Sequence, residues 1–426
     1  MTAASATTYA VGRFLPGEQA GRRGVALCLS GGGYRAALFH LGALRRLNEL
    51  GLLSQVDAIS SVSGGSILAA HLADRLRSWP EAAAIMPEWS ERIETPFRRI
   101  AGHNIRTWPI LNRLLPWNWA RDSTGVETLA TQYERYVTGM TLPELPGRPR
   151  YLINATDVSF GVNWIFDSMT RDGLNGRAGD YQAGYLRPLP DWPLALAVAA
   201  SSCFPPVFNP LPLRLDPGRL TDGNYQGPDR DRIVTGLRLS DGGMYDNLGL
   251  EPVWKTYRAV MVSDGGAVFE PEADRGIFWR LQRYVTIVDS QARALRKRWL
   301  ISSFLRGDLA GAYWGIRSVA AHYGTSDPRR AYSESLVHEI IARVRTDLDA
   351  FSEAEMAVLI NHGYILAETA VQRHLLPLIQ TGALPGVVVT STPAEIPFPA
   401  WMDEPAVRTA LRDSHRVHLL GRRSQG

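Results

Sequence analysis

The sequence VALCLSGGG at residues 25–33 joins a short apolar run to three consecutive glycines. Five apolar residues in a row are typical of a strand buried on both faces of a sheet, and glycines allow a tight turn after it. The chain then continues from Tyr34 to Leu50 with a leucine at every third or fourth position from Leu38 onward. This spacing predicts an amphipathic helix, and Gly51 is placed to end it.

Residues 58–77 repeat the order of strand, glycine turn and helix. AISSV at 58–62 predicts a second buried strand, SGGS at 63–66 follows it, and a helix is expected from Ile67 to about Arg77. Two such units in succession predict parallel strands joined by right-handed crossovers. Further apolar runs predict strands at 151–155, 162–166, 237–240 and 259–263, with a small-residue helix at 194–202.

The chain therefore reads as α/β with a mainly parallel central sheet, and its segments differ in character. We expect a loose N-terminal arm at 1–23, a catalytic domain at 24–268 and a mainly helical C-terminal extension at 269–426 that packs on it. Within the extension, FSEAEM at 351–356 has the pattern of a capping box with a hydrophobic staple, which predicts a helix start. Residues 79–125 form a candidate cap or lid insertion, which holds the tryptophans Trp79, Trp89, Trp108, Trp117 and Trp119.

Composition excludes several classes of protein. The 426 residues are 45% hydrophobic, which is enough for a large core, and 46 basic residues against 42 acidic ones give a net charge of only +4. This charge is too small and too dispersed to predict nucleic-acid binding. Two cysteines in apolar runs, Cys28 and Cys203, predict buried thiols rather than disulfides. We find no transmembrane segment and no signal peptide, so we expect a cytoplasmic protein with possible peripheral membrane contact.

The segment SVSGG at 61–65 places Ser63 between a buried strand and a helix. This is the geometry of a nucleophile elbow, in which a sharp turn lifts the serine hydroxyl out of the sheet. The helix that follows directs its first N–H groups toward the same point and favours developing negative charge there. Ser61 stands where the usual pattern has glycine, so the motif alone also fits an ordinary serine N-cap.

The glycines at 31–33 suit a cradle of backbone N–H donors. A phosphate-binding loop of the Walker type needs a Gly-Lys-Ser/Thr sequence, which is absent. A dinucleotide site needs an acidic residue at the end of the second strand, where this chain has Ser63. The remaining use is an oxyanion hole, and because two successive strand–helix turns end at one sheet edge, this loop and Ser63 should face each other.

A serine nucleophile needs a base to take its proton. None of the nine histidines lies in a recognisable triad context, and His40, His71 and His362 fall within predicted helices as core or surface residues. Asp241 ends a predicted strand and is followed by two glycines that leave room for close approach. Asp264 and Asp222 occur in similar contexts, and spacing alone does not choose among the three.

Taken together, these segments resemble the signature blocks of patatin-like phospholipases in their usual order. The blocks are SGGGYR at 30–35, SVSGGS at 61–66 and DGGMYDNLG at 241–249, supported by ATD at 155–157 and AASSCFPPVF at 199–208. The resemblance covers about residues 24–268. The departures are Ser61 in place of glycine, Ser30 where some members have aspartate, and Ala36 after the arginine.

This resemblance implies a three-layer α/β/α sandwich and a Ser-Asp dyad without histidine. Ser63 would attack an ester carbonyl, Asp241 would take its proton, and Asp264 would be structural. Arg35 would either brace the glycine loop or meet a phosphate. The N–H groups of the oxyanion hole would come from Gly31, Gly32, Gly33 and Gly64.

The expected activity is hydrolysis of acyl esters of phospholipids, lysophospholipids or acylglycerols, without a metal or other cofactor. Two alternatives stay open: a catalytically silent lipid-binding scaffold, and a carboxylesterase acting on non-lipid esters. Lipid contact could involve the tryptophan-rich segment 79–125 or the basic stretch 293–299, although ordinary packing and a solvated helix face explain these two segments equally well. The sequence does not indicate an oligomeric state.

Overall fold

The computed structural model describes residues 21–118, 121, 123–169, 175–324, 331–390, 392–416 and 418. Most of the predicted N-terminal arm and Trp119 of the predicted cap lie outside these residues. Within them, ten strands form one sheet. The strands are β1 (Val25–Leu29), β2 (Ala58–Val62), β3 (Arg150–Asp157), β4 (Val162–Met169), β5 (Asn175–Asp180), β6 (Gly184–Leu186), β7 (Leu211–Pro212), β8 (Arg238–Asp241), β9 (Ala259–Asp264) and β10 (Ala310–Gly315).

Helices cover the sheet and fill the segments between its strands. They are α1 (Gly33–Glu49), α2 (Gly64–Arg75), α3 (Thr95–Ala101), α4 (Thr107–Arg113), α5 (Thr124–Tyr136), α6 (Leu194–Ser202), α7 (Arg230–Thr235), α8 (Gly243–Asp246), α9 (Ile277–Arg306), α10 (Glu334–Glu339), α11 (Glu353–Ala370), α12 (Leu376–Gln380) and α13 (Glu404–Leu411). The helix predicted from Tyr34 and the capping box predicted at Ser352 are both present.

The sheet has two halves of different character. Its order is β10-β9-β1-β2-β3-β4-β5-β6, with β8 also paired to β3 and β7 paired to β8. Neighbours from β10 to β3 run parallel, whereas β3 to β6 and the β7–β8 branch pair antiparallel. The predicted α/β class is confirmed, but the sheet is mixed rather than mainly parallel. The short links between β3, β4, β5 and β6 explain this, because only a long crossover can join parallel neighbours.

Alternation along the strands separates two apolar layers. In β1, Leu27 and Leu29 belong to the larger core, whereas Ala26 and Cys28 belong to a second, smaller core. Helices α1, α2, α6 and α11 cover the first face, and residues 248–257 together with Leu300 of α9 cover the second. This is the three-layer α/β/α arrangement that the resemblance implied.

The C-terminal extension packs closely on the rest of the chain. In α1, 14 of 17 residues are buried, because α11 covers the face that α2 and the sheet leave open. Two glycines let the backbones meet. A Cβ atom at Gly42 would lie 1.9 Å from the Ile360 carbonyl oxygen, and one at Gly363 would lie 1.8 Å from the Phe39 carbonyl oxygen. The extension also supplies β10, an edge strand that the sequence analysis did not predict.

The predicted cap divides into a packed part and an exposed part. Trp89, Phe97 and Ile105 are buried in the main core. Several side chains on α4 and just after it are open to solvent, among them Trp108 at 54% and Trp117 at 73% exposure. Among the described helices, none combines the length and apolar character needed to cross a bilayer. Cys28 and Cys203 are buried free thiols.

Candidate active site

Ser63 lies at a sharp turn between β2, which ends at Val62, and α2, which begins at Gly64. Its backbone has φ 49° and ψ −116°, a conformation that residues other than glycine rarely adopt. Such strain persists only where surrounding contacts hold it. The turn is the predicted elbow, and it leaves Ser63 at the N-terminus of a 12-residue helix.

A series of hydrogen-bonded serine side chains holds the elbow in place. The Ser201 hydroxyl oxygen accepts the backbone N–H of Ser63 at 2.9 Å and lies 2.9 Å from the Ser66 hydroxyl. Ser66 in turn donates to the Ser61 hydroxyl oxygen at 3.1 Å. Ser61, the departure from the usual glycine, is therefore a buried hydrogen-bond acceptor. In the sequence Ser201 lies within AASSCFPPVF at 199–208, where no local pattern indicates this contact.

The pairing of β3 explains why Asp241 meets Ser63. Along one edge of β3, the partner strand changes from β2, whose Val62 pairs with Asn154, to β8, whose Asp241 pairs with Ala155. Because β2 runs parallel to β3 and β8 runs antiparallel to it, the carboxyl ends of β2 and β8 meet beside β3. Across this junction the Ser63 side chain faces the Asp241 carboxyl and lowers its pKa by favouring the ionised form.

The environment of Asp241 favours a base that is active near neutral pH. Burial raises its pKa to about 7, although hydrogen bonds from the Gly243 N–H and the Ser63 hydroxyl oppose the rise. Asp289 of α9 raises it further, because a second negative charge disfavours ionisation. The Gly243 N–H lies 2.7 Å from one carboxylate oxygen and fixes the orientation of the group.

Three backbone N–H groups of the glycine loop and the elbow have no acceptor among the described residues: those of Gly32, Gly33 and Gly64. The first N–H groups of a helix have no partner within it, so α1 and α2 both leave donors free here. The loop packs tightly against the elbow, since a Cβ atom at Gly64 would lie 2.1 Å from the Gly33 carbonyl oxygen. Gly33 itself has φ 57°, which favours glycine.

Gly31 does not match its predicted role. Its N–H donates to the Asn247 carbonyl oxygen at 3.2 Å, so it is not free to bind an oxyanion. Gly31 is instead a spacer, because a Cβ atom there would lie 3.1 Å from the Ser63 Cβ and 2.5 Å from the Asn247 Oδ1. Sequence spacing could not show this, since the partner lies more than 200 residues away.

Arg35, for which the sequence left bracing of the glycine loop or a phosphate contact open, has its guanidinium engaged by carbonyl oxygens. It is buried, and its guanidinium donates to the carbonyl oxygens of Gly265, Ala342 and Val344 at 2.8–3.3 Å. Burial lowers the pKa of this group to about 10. Of the two roles that the sequence left open, the contacts fit bracing, and they tie the loop to the C-terminal extension.

The two other candidate aspartates are engaged elsewhere. Asp264 ends β9, on the far side of β1 from β8, and contacts Lys297 at 2.8 Å and the Tyr313 hydroxyl at 2.7 Å. Burial opposes ionisation of Asp264, but Lys297 and these hydrogen bonds hold its pKa well below the usual range. Asp222 is exposed and pairs with Arg187.

Buried histidines do not contact the Ser63–Asp241 pair. The His40 ring lies 2.7 Å from the Ser263 hydroxyl and 3.0 Å from the Ser30 carbonyl oxygen. His71 and His362 each hydrogen-bond a backbone carbonyl oxygen, of Ile93 and Ile316 respectively. Burial lowers the pKa of all three imidazoles to about 4, so they are neutral core groups at physiological pH. Within the described part of the chain, no three acidic, histidine or cysteine side chains cluster as a metal site.

Comparison with solved structures finds distant likenesses. Human GIVD cytosolic phospholipase A2 aligns with 96% of this chain at 14% identity and a TM-score of 0.42. The same enzyme in complex with methyl gamma-linolenyl fluorophosphonate aligns with 95% at 17% identity and a TM-score of 0.44. VipD from Legionella pneumophila aligns with 83% at 14% identity and a TM-score of 0.35. The chain spans 65% and 62% of the two human chains, less than two thirds of their length. No match was found among curated proteins.

A family model gives the clearer result. The patatin-like phospholipase model matches residues 27–254, which is more than half of the chain. The match includes the glycine loop, the elbow at Ser63 and Asp241, and it ends before β9. With the mixed sheet and the converging strands already described, it identifies the chain as a member of the patatin-like phospholipase family.

Proposed function

We propose that the protein is a serine hydrolase that cleaves acyl esters of lipids through the Ser63–Asp241 dyad. One observation carries the proposal: Ser63 faces the buried Asp241 carboxyl where β2 and β8 meet beside β3, and three backbone N–H groups nearby have no acceptor among the described residues. Nucleophile, base and oxyanion donors are the three parts that acyl transfer requires. Family membership supports this assignment.

The first half of the reaction follows from these contacts. Ser63 Oγ attacks the ester carbonyl carbon as its proton passes to the Asp241 carboxylate. The carbonyl oxygen becomes an oxyanion, which the N–H groups of Gly32, Gly33 and Gly64 bind. When the tetrahedral intermediate collapses, the bond to the alcohol breaks and Asp241 returns the proton to that oxygen. The acyl chain remains as an ester on Ser63.

The second half regenerates the enzyme. Water gives a proton to Asp241 and attacks the acyl carbonyl carbon, and the same N–H groups bind the second oxyanion. Collapse releases the fatty acid, and the proton of Asp241 returns to Ser63 Oγ. No group other than Asp241 has to titrate, which agrees with the absence of a histidine beside the dyad among the described residues.

The proposed substrates are phospholipids, lysophospholipids or acylglycerols. The family name refers to phospholipases, which supports a lipid ester. We also propose that residues 24–268 act as the catalytic domain, with 269–426 packed on it. Residues 79–125 would then be a cap beside the site, since Arg106 of this segment pairs with Asp347, whose carbonyl oxygen accepts the N–H of Tyr34 next to the glycine loop.

The test is hydrolysis of a chain-length series of p-nitrophenyl esters and of a labelled phospholipid by wild type, Ser63→Ala and Asp241→Asn. Both variants should lose at least about 10³-fold in kcat, and long chains should be preferred. Asp222→Asn is the matched control, because Asp222 is a surface aspartate in a similar Asp-Gly context, and it should keep full activity.

Other outcomes favour the alternatives. A folded wild type that binds lipid but hydrolyses none of the esters would favour the silent scaffold. A preference for the shortest chains would favour a non-lipid carboxylesterase. Retention of activity by Ser63→Ala would exclude the dyad.

A further inference from the structure

Helix α9 exposes an apolar face that no described residue covers. Side chains along its outer surface are large and open to solvent: Ile277 at 67%, Tyr284 at 61%, Val288 at 69% and Leu295 at 59% exposure. They follow one another at intervals of seven, four and seven residues, which places them on a single stripe. Soluble surfaces rarely expose contiguous large apolar side chains without a partner.

Another side of α9 packs beside the candidate active site. The negative charge of Asp289 raises the pKa of Asp241. Arg293 donates to the Ala267 carbonyl oxygen at 3.0 Å, and Arg296 donates to the Tyr245 carbonyl oxygen at 2.9 Å, just beyond the Asp241 glycines. At 100° per residue these inner contacts lie roughly 120° around the helix from the apolar stripe. The stripe therefore flanks the site without forming part of it.

Charge distinguishes between the possible partners of this face. Residues 269–308 hold 8 basic and 5 acidic side chains, and the remainder of the chain holds 38 and 37. Three of the four net positive charges thus belong to this segment. Most of its basic groups also make ion pairs within the chain, but Arg298 is exposed and has no ion-pair partner among the described residues. A second copy of the chain would set two positive segments against each other, whereas an anionic lipid surface would attract one.

We propose that the outer face of α9 docks on an anionic lipid surface and holds the active site against it. This inference rests on the proposed lipid hydrolysis and names the surface from which the substrate is taken. A helix with basic residues and a large apolar face lies in the interface plane, with its apolar side chains in the acyl boundary. Tyr284 suits that boundary because its ring is apolar and its hydroxyl is polar.

A second group of exposed apolar side chains is the alternative docking surface for lipid. Trp108 and Trp117 of the cap are accompanied by Leu111 and Leu114, and all four are more than a third exposed. Residues 104–121 around this group also hold three basic side chains and no acidic one, so charge does not separate the two surfaces. We favour α9 because it lies beside the Asp241 glycines, where Arg296 donates to the Tyr245 carbonyl oxygen. Variants of this cap group are therefore compared with the α9 variants in the experiment.

The experiment measures co-sedimentation of the full-length protein with phosphatidylcholine vesicles, with and without phosphatidylserine. Wild type should bind the anionic vesicles more strongly. Tyr284→Gln combined with Val288→Gln should weaken this binding at least about tenfold, because two large apolar side chains no longer enter the lipid. Arg298→Gln should reduce only the preference for phosphatidylserine.

Matched controls test whether position matters rather than composition. Val388→Gln removes an exposed apolar side chain near Gln55, which precedes β2 at the amino end of that strand, whereas Ser63 follows its carboxyl end. Arg412→Gln removes an exposed arginine that also has no ion pair among the described residues. Neither should change vesicle binding. If Trp108→Gln with Trp117→Gln abolishes binding and the α9 double variant does not, the cap is the docking surface and the inference is wrong.

A soluble short-chain ester separates this inference from the proposed function. If the α9 double variant still cleaves that ester but no longer binds vesicles, docking through α9 is supported. If wild type binds vesicles through α9 but cleaves no ester, docking stands and the proposed hydrolysis fails. Equal vesicle binding by wild type and the double variant overturns the docking proposal, whatever the ester assay shows.

Discussion

The hydroxyl oxygen of Ser201 accepts the backbone N–H of Ser63 at 2.9 Å, so a serine on α6 holds the strained elbow on β2. We predict that Ser201→Ala lowers kcat about tenfold or more with little change in KM, because an unpaired buried N–H costs roughly 1–3 kcal/mol and loosens the nucleophile. Ser54→Ala is the control, since Ser54 is a buried serine that bonds a carbonyl far from the site. Equal kcat values for wild type and Ser201→Ala would show that the contact does not position Ser63.

The pH dependence of activity should follow Asp241. Its pKa is raised to about 7 by burial, and only the ionised carboxylate can take the Ser63 proton. We predict that kcat/KM for a soluble ester rises with pH through about 7 and then reaches a plateau. Asp289→Asn should move this rise to lower pH by removing a nearby negative charge, whereas Asp231→Asn, an exposed surface change, should not. A profile that is flat between pH 5 and 8 would rule out Asp241 as the titrating base.

Ionisation of the buried Asp241 carboxyl should destabilise the fold above neutral pH. A group whose pKa is raised on folding stabilises the protein below its unfolded pKa and loses that contribution as pH rises through the folded value. We predict that Asp241→Asn is inactive but resists urea better than wild type at pH 8–9, by at most about 4 kcal/mol for a pKa moved from 3.8 to about 7. The advantage should vanish at pH 4. An equal advantage at both pH values would assign the effect to packing instead of ionisation.

Acid should destabilise the fold through its buried imidazoles. The pKa values of His40, His71 and His362 are lowered to about 4 by burial, so the unfolded chain binds more protons than the folded one between about pH 6.5 and 4. Unfolding free energy should therefore fall as pH drops through this range, by up to about 3 kcal/mol for each imidazole. His362→Gln should reduce the slope of this fall, because it removes one of the three buried imidazoles. Urea titrations at several pH values give the comparison.

The contact between α1 and α11 predicts a steric requirement for glycine. A Cβ atom at Gly363 would lie 1.8 Å from the Phe39 carbonyl oxygen, so Gly363→Ala must push the helices apart. We expect a loss of about 2 kcal/mol or more in unfolding free energy. Gly139→Ala is the control, because nothing lies within 4 Å of its added Cβ. If the two variants have the same melting temperature, the helices do not meet as closely as the structure shows.

Local patterns were enough to predict the elbow and the glycine loop. The run from Ala58 to Val62, the serine and the two glycines after it specify strand, turn and helix within a dozen residues. Local patterns do not distinguish Asp241 from Asp264, because both residues follow a strand and precede two glycines. The choice depends on which strand pairs beside β3, a contact between residues more than 80 positions apart.

Other features depended on even longer contacts. Gly31 fits the donor pattern, yet its N–H is taken by Asn247, and Arg35 fits a phosphate contact, yet it is buried against carbonyls of the C-terminal extension. The strand β10 was missed because AGAYWG at 310–315 is short and rich in glycine, and it becomes a strand only beside β9. Periodicity describes how a segment presents its faces but not which distant segment meets them.

The edge strand β10 also has a consequence for how the gene can be divided. A fragment that stopped near residue 268 would keep the whole family signature but would lose the partner of β9 and the helix that covers α1. The bare edge of β9 would offer unpaired peptide groups to any other strand, which is a common start for aggregation. The smallest unit that can be expected to fold by itself therefore extends through α11, more than a hundred positions beyond the last signature residue.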